Sequence, residues 1–287
     1  MTLNGQDKCE CCTYYSIENE ELYGYFFNPG FLKTNQFTIA TIYTTETNSQ
    51  KSFKFIHAKF LFDSLGNITA RYDYNQNGKP HMIKEFIRDY SGKIVKTSHA
   101  YLRDDESKSD FWEPTIVDFD HNQSGQILKI KERDYSGNIL ADSLSNYTKY
   151  SYDVKGRLIN EYRFANFSNQ NSAYNMTLRY TSPYESIGIT KNNGKDWLKT
   201  VSKFDNKNRL LSQIDYNYPD SKMVWGIFYK YDDDKLINQI RKDGIGVTEC
   251  PDNNEFTEEY LYNNIGLLEK VIHKFNSVTC EMIIKYE

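Results

Sequence analysis

The run Asp73-Tyr74-Asn75-Gln76-Asn77-Gly78 sets oxygen-bearing side chains at alternate positions ahead of a glycine, the opening half of a calcium-binding loop. Such a loop closes on its ion with a bidentate glutamate at position twelve. That position is Lys84, with Glu85 one place late and Pro80 where a helix would have to leave. The segment therefore reads as a hairpin turn. Cys9, Cys11 and Cys12 crowd the start of the chain, but their spacing is not that of paired zinc ligands, and Cys250 and Cys280 form no second pair. Thiols without a metal are the plainer reading, and no metal or cofactor is expected. The acidic groups Asp104-Asp105-Glu106, Asp118 with Asp120, and Asp232-Asp233-Asp234 could supply the paired carboxylates of glycoside chemistry. That chemistry depends on their separation across a sugar, which adjacency in sequence does not set. No Gly-x-Ser-x-Gly elbow, glycine-rich phosphate loop or His-Glu-x-x-His pair occurs, and the five histidines are isolated. The chain is expected not to be an enzyme.

Two segments are better suited to contact than to catalysis. Residues 103–113 combine Asp104, Asp105, Glu106 and Asp110 with Trp112, carboxylates beside an aromatic anchor. An ordinary solvated loop is the plainer reading; the sharper one is a surface that meets a basic protein partner. In the second segment Trp225, Ile227, Tyr229 and Tyr231 fall on one face of a strand and Val224 and Phe228 on the other, so both faces are apolar. Either the strand is covered on both sides, or Trp225 and Tyr229 belong to a binding surface.

The elements that carry these residues follow from an internal repeat. Of the 15 glycines, eight have Asp or Asn three residues earlier: Gly66, Gly78, Gly92, Gly125, Gly137, Gly156, Gly246 and Gly266. The fuller unit has an aromatic residue before the Asp and an aliphatic one two after the Gly, as in Phe62-Asp63-Ser64-Leu65-Gly66-Asn67-Ile68. Tyr262-Asn263-Asn264-Ile265-Gly266-Leu267-Leu268 nearly repeats it, and Phe204-Asp205-Asn206-Lys207-Asn208-Arg209-Leu210 has Asn in place of Gly. Asp or Asn accepts backbone hydrogen bonds within a turn, and Gly, or next best Asn, takes the left-handed position. Alternation on either side predicts strands: Ile68, Ala70, Tyr72 and Tyr74 against Asn67, Thr69, Arg71 and Asp73 place the apolar set on the buried face. Loops are expected at 103–113 and 182–196, and helix only near 16–22.

Composition agrees. Tyr and Phe number 24 and 17, and such residues suit pleated, half-buried surfaces. Net charge is −4 and the basic residues are scattered, which argues against nucleic-acid binding. No apolar stretch reaches the ~20 residues of a membrane-spanning helix, and residues 1–12 lack the apolar core of a secretory signal. No membrane insertion and a cytoplasmic location are expected.

Tyr150-Ser151-Tyr152-Asp153-Val154-Lys155-Gly156-Arg157-Leu158 resembles the YD repeat of Rhs proteins, teneurins and the shell-forming subunits of Tc toxins, Tyr-x-Tyr-Asp-x-x-Gly-Arg-Leu. The resemblance spans residues 53–287 in diluted form. It implies an all-β fold, an extended twisted antiparallel sheet of repeated hairpins, with residues 1–52 packed on or leading into it. It also implies a short free-standing bacterial relative with a protein partner: an immunity-type protein that neutralises a cognate toxin domain. The alternative is a carbohydrate-binding or envelope-associated module.

Overall fold

The computed structural model describes residues 26–47, 52–75, 77–101, 115–133, 138, 146–167, 170–243, 255–275 and 278–287. A short helix, α1 (Pro29–Thr34), precedes the sheet. The strands of the first half are β1 (Ile39–Thr47), β2 (Ser52–Phe62), β3 (Ile68–Tyr74), β4 (Pro80–Arg88), β5 (Ile94–Tyr101), β6 (Thr115–His121), β7 (Ile127–Glu132), β8 (Tyr147–Tyr152) and β9 (Leu158–Phe167). Those of the second are β10 (Gln170–Ser182), β11 (Glu185–Asn192), β12 (Lys195–Phe204), β13 (Leu210–Asn217), β14 (Met223–Asp232), β15 (Lys235–Asp243), β16 (Glu255–Tyr262), β17 (Leu268–Phe275) and β18 (Val278–Tyr286). Each pairs antiparallel with the next, and β1 also pairs with β18, from Ala40 opposite Tyr286 to Thr47 opposite Thr279.

The sheet is therefore a closed barrel and not the open twisted sheet expected from the repeat. Closure has a plain cause: accumulated twist brings the first and last strands of a large sheet together, and pairing them removes both exposed edges. The Glu287 carbonyl accepts from the amides of Thr38 and Ile39, and the Glu287 amide donates to Ile39, sealing the seam at one rim.

Connections from even to odd strands all lie at that rim, and most carry the repeat. In each Asp-x-x-Gly turn the glycine amide donates to the carbonyl of the first residue, as Gly66 does to Asp63 and Gly156 to Asp153 at 2.9 Å. The first side chain accepts two further amides: Asp63 from Leu65 and Asn67, Asp153 from Lys155 and Arg157. The glycines sit at positive φ, +81° at Gly66 and +77° at Gly156, and Asn208 takes the same region at +61°. The Asn75 turn has the same geometry but lies at the opposite rim, while the one around Asp134 and Gly137 lies outside the described residues. One segment expected as a loop, 182–196, instead contains β11. Its second hairpin turns through Asn193 and Gly194, both at positive φ, a two-residue connection whose twist matches that of the flanking strands.

Helix α1 was not anticipated, although its signals are local. The Asn28 side chain caps it by accepting from the amides of Gly30 and Phe31, and Pro29 fills the first turn. The helix expected near 16–22 lies outside the described residues. Around α1, Phe26, Phe27 and Leu32 are buried among inward residues of β1, β2 and β16 to β18. The Phe26 ring lies 5.1 Å from Tyr260, and Phe27 lies 4.6 Å from Phe60. This segment fills one half of the lumen.

Candidate functional site

Against β9 to β13 the lumen is open among the described residues. It forms a cavity of about 740 Å³, within the range of roughly 300–1,000 Å³ typical of ligand pockets. Residues directly opposite on antiparallel strands share a face, so the inner wall can be followed from strand to strand. Leu178 faces Gly188, Gly188 faces Thr200, Thr200 faces Asp215 and Asp215 faces Trp225. One row nearer the repeat-bearing rim, Ser202 faces Gln213. Apolar and aromatic groups, Leu158, Tyr180, Phe204 and Leu210, line the cavity toward that rim; Tyr174 lines it toward the other, with its ring 5.9 Å from Trp197.

Asp215 is the distinctive group in this wall. It is 6% exposed, and burial is the largest influence on its carboxyl, pushing the pKa above the ordinary aspartate value against hydrogen bonds from Thr200 and Trp225. Among the described residues its Oδ1 has no hydrogen-bond partner. A buried carboxylate oxygen without a donor is costly, which marks the position as one that a ligand could complete. The second carboxylate of the cavity, Glu161, is paired with Arg163.

The repeat fastens neighbouring strands of the wall to one another. Arg157, in the Gly-Arg-Leu part of the unit, pairs with Asp153 of its own turn at 2.7 Å and lies 4.1 Å from the ring centre of Tyr180. Arg209 does the same with Asp205 and the Tyr231 ring. Four tyrosines at the ends of even-numbered strands reach back to the preceding hairpin: the hydroxyls of Tyr152, Tyr231, Tyr262 and Tyr286 donate to the carbonyls of Ile127, Leu210, Leu236 and Leu268 at 2.8–3.0 Å.

The residues singled out from sequence are distributed unevenly. Asp104, Asp105, Glu106, Asp110 and Trp112 lie outside the described residues, as do Cys9, Cys11, Cys12 and Cys250. Trp225 and Tyr229 lie on the inner wall: Trp225 hydrogen-bonds Asp215 beneath the Arg241 guanidinium, and Tyr229 packs against the apolar core. Asp73 is not in a loop. It is buried within β3 against Arg71 at 2.7 Å, so the face of β3 expected to be solvated points into the barrel.

Asp215, Thr200 and Gln213 escaped notice for the same reason. Gln213, Asp215 and Asn217 alternate with Ile214 and Tyr216, and such a strand is ordinarily read with its polar face in water. The signal that could have flagged them is repetition of the pattern in β3 and β13, two strands of one sheet with polar residues on the same side.

No family model matches the chain, and no curated protein matches it. Among solved structures it is similar to a porin-like protein from Bacteroides uniformis, at 12% identity and a TM-score of 0.39, over 88% of this chain and 96% of that one. It is also similar to TcdB2-TccC3 in complex with Cdc42, at 13% identity and a TM-score of 0.30, over 82% of this chain. A third similarity is to the Photorhabdus luminescens Tc holotoxin pore, at 12% identity and a TM-score of 0.27. The chain spans 13% of the length of each of these two longer chains. None of these similarities says what this chain does.

Proposed function

We propose that this is a non-enzymatic binding protein that holds a small ligand in the open part of its lumen. The observation that carries this reading is Asp215, a buried carboxyl with an oxygen left without a donor in the wall of a cavity of about 740 Å³. Glu161, the other carboxylate lining the cavity, is already paired with Arg163, whereas glycoside cleavage uses two carboxyl groups that both act on the substrate.

The outer wall supports a barrel standing in water. Charged side chains recur along the strands there, with Lys59 and Lys285 flanking Thr41, and cross-strand pairs Lys270–Glu281, Lys274–Glu259 and Lys242–Glu255. A membrane-spanning barrel instead presents an apolar band about 25 Å tall. The lumen reading is preferred to toxin neutralisation because its groups are seen together in one cavity, whereas the acidic loop that would carry the other lies outside the described residues.

The test is native mass spectrometry of the protein after incubation with the small-molecule fraction of a cell extract. Wild type should retain a bound species, and Ala165→Trp, which projects an indole into the cavity, should retain less. If the wild-type protein retains nothing from any fraction, the proposal fails.

A further inference from the structure

We infer that the luminal ligand carries a primary ammonium group on an apolar body, and that Asp215, Gln213 and Ser202 receive the ammonium. This rests on the reading of the lumen as a ligand site and names the chemistry it would select.

An ammonium has three donors and no acceptor, so it needs oxygens converging from one patch of wall. Asp215 and Gln213 are alternate residues on the inner face of β13, and Ser202 stands directly opposite Gln213 on β12, so the three oxygen-bearing side chains adjoin. Thr200 and Trp225 hydrogen-bond the Asp215 carboxylate, while Oδ1 has no donor among the described residues. Charge selects in the same direction. Arg163 already balances Glu161, which leaves Asp215 as the carboxylate in the cavity wall lacking a basic partner among the described residues.

A cation pairs with that charge, whereas an anion would meet a second buried negative charge, and a neutral tail would leave Oδ1 dry and unbonded. Beyond this patch the cavity offers Leu178, Met176 and Phe204 to an apolar body.

The experiment is isothermal calorimetry of wild type, Asp215→Asn and Ala165→Trp with four probes of similar reach: octylamine, octanol, octanoate and maltotriose. Octylamine should bind wild type at least tenfold more tightly than octanol. Asp215→Asn, which keeps an acceptor for Thr200 and Trp225 but turns an amide NH₂ toward the cavity, should lose that preference without a lower melting temperature. Binding of the amine should also release protons as the buffer is brought toward the carboxyl's pKa, because a cation favours the ionised form; a merely structural Asp215 would give no such linkage.

Octanol, octanoate or maltotriose binding as tightly as the amine, and being weakened in Ala165→Trp, overturns the ammonium inference and leaves the lumen as a ligand site. Absence of binding by all four overturns this inference, while the extract experiment separately decides the lumen reading. Should Asp215→Asn fail to fold, Gln213→Leu replaces it, with the same loss of amine preference expected and an unchanged preference counting against the inference.

Discussion

Gly66 and Gly92 share a left-handed backbone, at +81° and +85°, but differ in surroundings. A Cβ on Gly92 would meet nothing within 4 Å, whereas one on Gly66 would lie 2.3 Å from the Pro29 carbonyl oxygen. Gly92→Ala should therefore cost about 1–2 kcal/mol, the strain of the conformation alone. Gly66→Ala should cost clearly more, because the first turn of α1 must move; denaturant melts of the two variants would show it, and equal losses would contradict the docking of α1 on this turn. The carboxylates divide by environment. At Asp153 the Arg157 amide is the largest influence; burial opposes it, but the Arg157 side chain and the Lys155 amide join it, and the pKa falls below the ordinary range. Such a group stabilises the fold above its unfolded pKa, and that stability is lost as pH falls through the folded value. Asp215 has the opposite sign: with its pKa raised, its contribution is full below the unfolded value and is lost as pH rises through the folded one. Asp215→Asn should accordingly raise the melting temperature at neutral pH, with the difference shrinking toward pH 4; a lower melting temperature at pH 7 would mean the carboxylate is a structural group.

At the scale of the element, the hairpin unit is a local structure with a non-local fastening. The Asp-x-x-Gly turn satisfies its own amides, and where a turn is preceded by Tyr152, Tyr231 or Tyr262 the hydroxyl ties it to the hairpin before it in the chain. Burial raises the pKa of both Tyr262 and Tyr286 far above the ordinary phenol value, so these hydroxyls remain donors across the range in which the protein is folded. Replacing Tyr152, Tyr231 or Tyr262 by Phe should each cost roughly 0.5–1.5 kcal/mol, the net worth of one such bond with its carbonyl left dry. Urea melts would measure it, and losses near zero at all three sites would show that the fastening is packing rather than hydrogen bonding.

At the scale of the molecule, closure decides which residues are inside. Thr41 and Lys285 are directly opposed across the β1–β18 seam. The double variant Thr41→Cys, Lys285→Cys should form a disulfide on mild oxidation, since opposed residues of an antiparallel pair meet the required Cα separation of about 4.4–6.8 Å. In an open sheet these positions would lie on two far edges, and a double variant that stays reduced while folded would argue for that form. Among the described residues, α1 and the preceding phenylalanines pack beside β1, β2 and β16 to β18, and the cavity lies against β9 to β13.

The sequence by itself determined the turns, because an Asp-x-x-Gly turn is completed by hydrogen bonds among about five consecutive residues, as from Asp153 to Arg157. It determined the strands between them through alternation, and it determined that Asn208 could stand where its relatives have Gly. It placed Ile68 in the core correctly but misassigned Arg71 and Asp73, since a period of two separates the faces without saying which is inner, and a register shift between Leu61 and Phe62 changes the phase along β3. Arg71 and Asp73 on β3, and Gln213 and Asp215 on β13, became interior only when β1 met β18. That pairing joins residues more than 230 positions apart and depends on the summed twist of eighteen strands, a quantity no single repeat encodes.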